Sequence, residues 1–409
     1  MLQDTEVRGT RSSFSLLGPA FVAAIAYVDP GNVAANVSAG AQYGFLLVWV
    51  IVMANVMAGL VQYLSAKLGL VTGRTLPEAV ADHTRTRTRI AYWIQAELVA
   101  MATDLAEVVG GAIALYLLFD LPLLIGGVIT GAVSLLLLAI QNLRGQRVFE
   151  RVISGLLLVI AIGFLTSLFV QPPPAAEVAA GLIPRFDGAE SVLLATAMLG
   201  ATVMPHAVYL HSGLARDRHG QPEAGPQRRA LLRITRYDVG LAMLVAGAVN
   251  LAMLLVAATN LQGRDNTDSI EGAHAAVSDT LGPTVALLFA IGLLASGLAS
   301  TSVGAYAGAM IMQGLLRRSY PLLLRRMVTL IPALAILAMG IDPSRALVIS
   351  QVVLSFGIPF ALIPLVRLTS SRVLMGADTN HRVTTALGWV VAALISLLNV
   401  VLIYLTVTG

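Results

Sequence analysis

With 409 residues, of which 57% are hydrophobic and 12% charged, and a mean hydropathy of +0.82, the chain lies outside the range of soluble globular domains and reads as a polytopic membrane protein. Cysteine is absent, which excludes a disulfide framework and a thiolate metal site. The net charge of +4 is no nucleic-acid signal, because the basic residues are spread over many loops instead of one patch.

The first apolar run, residues 14–40, is long enough to cross a bilayer. No small-residue cleavage pattern follows a short apolar core, so it is expected to be a retained helix. At its middle stands Asp29-Pro30-Gly31-Asn32. An ionisable group at mid-depth is costly and by default a functional candidate. Pro30 and Gly31 release backbone carbonyls, which are tolerated at that depth only around a cavity or inside protein. A cation site at a broken helix has this pattern: Asp29 and Asn32 offer hard oxygens, a carbonyl near Ala26 could add another, and such a set suits an alkaline-earth or first-row transition cation. The competing reading, in which Asp29 pairs with a basic side chain and merely packs, finds no Lys or Arg at matching depth in any span.

Ten further apolar runs follow, at about 44–71, 90–118, 121–141, 149–171, 190–214, 237–260, 281–315, 320–340, 345–366 and 384–407. All but three of the 26 Lys and Arg fall on one side of the eleven predicted spans. The exceptions are Arg185, Arg264 and Arg345. The asymmetry places the amino terminus in the cytoplasm and the carboxy terminus outside. The loops are short, the longest being the basic stretch 214–236, and a single transmembrane domain is expected.

The sixth span has its own break, at Met204-Pro205-His206. Pro30 and Pro205 each lie in the first helix of a five-span block, and because five is odd the second block is threaded upside down. Interrupted helices in corresponding positions of inverted halves point to a transporter site at the membrane midplane. The two repeats are 14–171 and 190–366, with 384–407 as an extra helix. Met204 is either a flexible filler of core gaps or a soft ligand facing Asp29, and a hard Asp beside a soft Met argues for Mn2+, Fe2+, Co2+ or Cd2+ over Ca2+ or Mg2+. His206 and His211, five residues apart, point in different directions and read as proton or gating residues.

In the third span, Glu97, Asp104 and Glu107 share one helical face. A buried acidic stripe needs cationic partners or must hold its protons, and either way it resembles a proton relay. Arg325 and Arg326 are candidate partners; both also read as ordinary cytoplasmic topology markers, Arg325 above all. The small-residue run Ala295–Gly308 reads as close helix packing. Gln351, a lone amide in the tenth span, either bonds across helices or approaches the metal.

Together these residues resemble the Nramp family of proton-coupled divalent metal transporters. The likeness rests on Gly18-Pro19-Ala20-Phe21 and Asp29-Pro30-Gly31-Asn32, on Gln62 to Gly69, on Thr103 to Gly110, on Met204-Pro205-His206 with Tyr209 to Ser212, on Ala295 to Gly308, and on Gln351 with Leu354-Ser355. The resemblance implies an all-α LeuT-type fold of two inverted five-helix repeats plus one helix, and a bacterial manganese or iron importer. It implies metal ligands Asp29, Asn32, Met204 and the Ala201 carbonyl, joined by the Ala26 carbonyl and Gln351 in some conformations. It also implies a proton route through Asp29, His206, Asp104, Glu107 and Arg326, beside which Glu97, His211 and Arg325 are further candidates. Ala207, Val33 and Leu298 depart from common family residues (asparagine, phenylalanine and glutamine), and put gating and selectivity details in question more than activity.

The expected mechanism is alternating access, with divalent metal and protons as partners, the lipid bilayer as solvent, no enzymatic activity, no resident cofactor and no nucleic acid. The expected location is a bacterial plasma membrane; the oligomeric state is left open, a monomer included. A sodium-coupled amino-acid or organic solute carrier of the same fold is the rival, and it requires free amino ends on the half-helices. An intramembrane metalloenzyme lacks a His-Glu-x-x-His pattern here.

Overall fold

The computed structural model describes residues 18–144, 146–263, 269–318 and 322–408. The start of the first apolar run, with Arg8 and Arg11, and Arg264 therefore lie outside the described residues. Among these residues the chain is helical throughout, with no strand. In chain order the helices are α1 (Pro19–Ile25), α2 (Pro30–Tyr43), α3 (Val48–Thr72), α4 (Leu76–Asp82), α5 (Thr86–Phe119), α6 (Leu123–Arg144), α7 (Gln146–Val170), α8 (Ala175–Ala180), α9 (Gly188–Thr202), α10 (Pro205–His219), α11 (Pro226–Asn260), α12 (Ile270–Leu281), α13 (Pro283–Leu316), α14 (Leu322–Ala338), α15 (Pro343–Thr369), α16 (Arg372–Met375) and α17 (Arg382–Thr408).

Every predicted apolar run coincides with a helix or, at the two proline sites, with a broken pair. Among the described residues eight helical spans are individually long and apolar enough to cross a membrane. The run 14–40 is instead divided between α1 and α2, the run 121–141 has its apolar stretch at Leu123–Leu137, and the run 320–340 forms the 17-residue α14. The supposed long loop 214–236 is corrected: α10 continues to His219 and α11 begins at Pro226, so helix extends beyond the apolar segments at both ends. Proline is favoured at the first helical position because its missing N–H would be unpaired there anyway, which explains the early start of α11.

Both breaks follow from local chemistry. Asp29 is the N-cap of α2, its carboxylate accepting from Asn32 N while Pro30 occupies the first helical position. A single 3-10 turn, Ala26–Val28, joins α1 to that cap. In the second break α9 ends at Thr202 and Met204 takes an extended conformation before Pro205 opens α10.

The broken pairs lie inside the bundle. α13 packs on α5 and α7, α11 on α2 and α3, α15 on α9 and α5, and α10 on α3. Small residues set these spacings. A Cβ at Gly297 of α13 would lie 3.1 Å from the Gly111 Cα of α5, and one at Gly163 of α7 would lie 3.1 Å from the Gly292 Cα. Gly110 of α5 gives room to Pro30, and Gly69 of α3 to the Ser212 carbonyl.

One end of the bundle gathers the basic segments. Arg74 and Arg317 both pair with Asp82, Arg216 with Glu78, Arg218 with Glu150 and Arg228 with Asp378. These contacts join five of the segments that the charge count assigns to a common side. At the opposite end Trp49 Nε1 donates to the Arg185 carbonyl at 3.3 Å and stacks edge-on against Phe186.

Candidate metal site and the polar groups beside it

The two breaks face each other. Asn32 Nδ2 donates to Asp29 Oδ1 at 2.9 Å and to the Ala201 carbonyl at 3.0 Å, while Asn32 N donates to Asp29 Oδ1 at 2.7 Å. Gln351 of α15 brings its amide to Asp29 Oδ2 at 3.4 Å. Asp29, Asn32, Ala201, Met204 and Gln351 are fully buried. Asp29 has no ion-pair partner among the described residues, so the reading in which it merely packs against a cation is not what the fold presents. Asn32 Oδ1 and Gln351 Oε1 are buried oxygens with no hydrogen-bond partner among the described residues. An unpaired buried acceptor is costly, and two of them beside a lone carboxylate form a set that a cation would satisfy.

The carbonyls around the first break divide by partner. Pro30 has no N–H for the Ala26 carbonyl, and the Asn32 N–H that an unbroken helix would give to Val28 goes to Asp29. Ser296 of α13 donates to the Val28 carbonyl at 2.5 Å, and Asn250 of α11 donates to that of Tyr27 at 2.7 Å while accepting from Asn36 at 3.1 Å. Side chains from two neighbouring helices thus hold the turn at two successive carbonyls, those of Tyr27 and Val28.

Gln351 reaches this place because two glycines leave room. A Cβ at Gly31 would collide with the Gln351 amide, and one at Gly200 of α9 with the Gln351 carbonyl. Of the two readings of Gln351, the structure shows the bond across helices, and the group it reaches is Asp29. No group of three or more His, Cys, Asp or Glu able to hold a metal occurs among the described residues. The site is a single carboxylate among amides and carbonyls, with the Met204 thioether in the adjoining break.

Beside it runs a line of buried charge. Asp104 of α5 pairs with Arg326 of α14, both essentially inaccessible, and Glu97 pairs with Arg325 at 3.0 Å. Arg325 is thus bound to a partner inside the bundle. Glu107 lies one turn from Asp104, with Gly304 of α13 making room: a Cβ there would be 2.9 Å from Glu107 Oε1. Gly308 seats the Arg325 guanidinium in the same way. The small-residue run of α13 therefore does two things, close packing at Gly297 and accommodation of charged side chains at Gly304 and Gly308. His206 Nδ1 is 3.3 Å from Thr103 Oγ1, and His206 Nε2, Asp104 Oδ2 and Glu107 Oε2 have no hydrogen-bond partner among the described residues.

His211 stands elsewhere. Its Nδ1 is 2.6 Å from Gln62 Oε1 of α3, and the Gln62 amide donates to the Tyr27 hydroxyl. It is therefore tied to the first break from the side of α3. Sequence reasoning also missed Tyr27, Asn250 and Ser296 as groups that hold the break, and Asp238 of α11, which accepts from Gly18 N and Ala20 N at 3.1 Å each and so caps α1. Asn250 and Asp238, polar residues in a long apolar helix, were the available signal.

The fold and these buried groups define an all-helical, multi-pass membrane transporter of LeuT type. Residues 20–405 match the model of the family described as Nramp, natural resistance-associated macrophage protein-like. The chain is 72% identical over its full length to the divalent metal cation transporter MntH of Mycobacterium tuberculosis, covering 95% of that protein, and 47% identical over 98% of its length to MntH of Bacillus subtilis, covering 94%. Its structure resembles that of the Eremococcus coleocola manganese transporter with a TM-score of 0.84 at 32% identity, covering 98% of this chain and 88% of that one. The fold alone is shared with MHP1, a nucleobase-cation-symport-1 family transporter, at a TM-score of 0.61 and 16% identity over 94% of this chain and 90% of that one. The chain belongs to the Nramp family, and it is a metal ion transporter.

Proposed function

We propose that the protein imports Mn2+ and Fe2+, and also Cd2+ and Co2+, together with protons, by alternating access across a bacterial plasma membrane, with the amino terminus cytoplasmic, the carboxy terminus outside and eleven crossings. Asp29, Asn32, Met204 and the Ala201 and Ala26 carbonyls hold the ion, with Gln351 closing over it. The observation that carries this reading is the lone Asp29 carboxylate, unpaired with any base among the described residues, beside the unsatisfied oxygens of Asn32 and Gln351. A metal entering from outside exchanges its water for these oxygens and the Met204 sulfur, the half-helices α1 and α10 rock as parts of the inverted repeats 14–171 and 190–366, and the ion leaves to the cytoplasm. Asp29 gives up a proton as the metal binds, and the proton leaves by way of His206, Asp104, Glu107 and Arg326. Glu97 and Arg325 border that route. The membrane potential adds about 2.3 kcal/mol per charge per 100 mV to cation entry.

The rival amino-acid carrier needs free amino ends for a carboxylate substrate. Asp29 already caps α2, although α10 carries no side-chain cap. The test is Mn2+ uptake into proteoliposomes with a trapped pH dye. Uptake with lumenal acidification, abolished in Asp29→Asn, supports the reading; undiminished uptake in Asp29→Asn places the metal site elsewhere.

A further inference from the structure

Helix α15, which carries Gln351, has two prolines in its interior, Pro359 and Pro364. Each lacks the N–H that would bond the carbonyl four residues back, so the carbonyls of Ser355 and Phe360 lose their helical donors. A peptide carbonyl without a donor is costly inside a membrane-spanning bundle unless another group supplies one. Both vacancies are filled from other helices. The Tyr209 hydroxyl of α10 donates to the Phe360 carbonyl at 3.3 Å. Asn399 Nδ2 of α17 donates to the Ser355 carbonyl at 3.1 Å, and Asn399 Oδ1 accepts from Ser355 Oγ at 2.6 Å.

Asn399 is 5% exposed in a helix whose neighbouring positions, Leu397, Leu398, Val400 and Val401, are all apolar. Its amide spends both its ends on one residue. Ser355 is one helical turn from Gln351 and on the same face. On the other side the same turn is pressed by α9: a Cβ at Gly200 would collide with the Gln351 carbonyl and lie 2.9 Å from Ser355 N. The segment 351–355 is thus gripped between Gly200 and Asn399, and Gln351 projects from it toward Asp29.

We propose that Asn399 is a positioning residue for the metal site. By completing the proline-broken turn at Ser355 it fixes where Gln351 meets Asp29, so that α17, outside both five-helix repeats, takes part in closing the site. The proposal rests on the reading of Gln351 as a metal ligand.

The test is the Mn2+ concentration dependence of proteoliposome uptake for Asn399→Ala, Pro359→Ala, Gln351→Ala and the doubles that pair Asn399→Ala with each of the other two. Asn399→Ala is expected to raise KM by about fivefold to tenfold, the equivalent of one buried hydrogen bond, with a smaller change in maximal rate. Pro359→Ala returns a backbone donor to the Ser355 carbonyl, so in that background Asn399→Ala should shift KM by no more than about twofold. It should be equally silent in the Gln351→Ala background. An unchanged KM in Asn399→Ala, or the same shift with and without Pro359, overturns the proposal. A native KM in Gln351→Ala overturns the ligand reading and this proposal with it, whereas a raised KM in Gln351→Ala with a native one in Asn399→Ala overturns the positioning role alone. If Asn399→Ala is not recovered as monodisperse protein, Asn399→Ser, whose hydroxyl cannot span the gap, carries the same comparison.

Discussion

The Asn32 amide nitrogen bridges the Ala201 carbonyl, at 3.0 Å, and the Asp29 carboxylate, at 2.9 Å, two oxygens of the proposed metal site. A cation entering this place meets a donor where it needs an acceptor, and a half-turn of the amide about χ2 presents Oδ1 instead. Asn32→Asp removes the donor and sets two buried carboxylates side by side. Like charges in one buried site are mutually destabilising until a cation joins them. Thermal unfolding in detergent is expected to show a lower midpoint for metal-free Asn32→Asp and a larger rise on adding Mn2+ than in the native protein. Equal Mn2+ shifts in the two proteins would speak against metal binding at Asn32.

Met204 should act on selectivity. A thioether contributes little to Ca2+ but is acceptable to Mn2+ and Cd2+. Met204→Ala is expected to keep Mn2+ uptake while a millimolar excess of Ca2+, harmless to the native protein, now competes. Retained resistance to Ca2+ would assign Met204 to packing.

Asp104 and Arg326 are buried together, so removing one partner strands the other. Arg326→Leu alone is expected to cost about 3–5 kcal/mol and to lower the yield of folded protein. The Asp104→Leu/Arg326→Leu double should recover the yield, because an apolar pair of similar volume replaces the ion pair without an orphan charge. Should that double take up Mn2+ and still acidify the lumen at the native ratio, the proton route does not pass through this pair.

Two glycines beside Gln351 predict different outcomes for the same added methyl group. At Gly31 it meets the mobile end of the Gln351 side chain, whereas at Gly200 it meets the backbone of α15. Gly31→Ala should fold and bind Mn2+ more weakly as Gln351 is pushed from Asp29. Gly200→Ala should lose stability by about 1–3 kcal/mol through overpacking. A thermal midpoint for each, beside its Mn2+ KM, separates the two; a reversed pattern would mean that α15 yields more readily than its side chain.

What could be read from the sequence was what periodicity and cost make visible. Asp29, Pro30 and Pro205 announce themselves because a carboxylate and helix breakers inside apolar runs have few uses, and the acidic face of α5 announces a need for cations or held protons, with Arg325 and Arg326 only as candidates until the fold pairs them with Glu97 and Asp104. Partners set by tertiary packing were not legible. Ser296 and the Val28 carbonyl are 268 positions apart, Asn250 and the Tyr27 carbonyl 223, and neither serine nor asparagine in an apolar helix says which backbone group it will serve. The spacing of His206 and His211 shows that they point in different directions, as they do, but not that one turns toward Thr103 and the other toward Gln62. The cap that Asp238 places on α1 spans 220 positions and was equally hidden.

The two ends of the bundle are fastened by different physics. At the basic end the fastenings include ion pairs open to water, among them Arg74 with Asp82, at 56% and 25% side-chain exposure, and Arg216 with Glu78, at 27% and 35%. At the other end they include the Trp49 indole on the Arg185 carbonyl, the edge-on ring of Phe186 and the Ser344 hydroxyl under Ile270 N. Exposed pairs weaken as ionic strength rises, while contacts between neutral groups do not. Dissolved salt is therefore an uneven lever on this molecule: it acts more on the face where the arginines gather than on the opposite one.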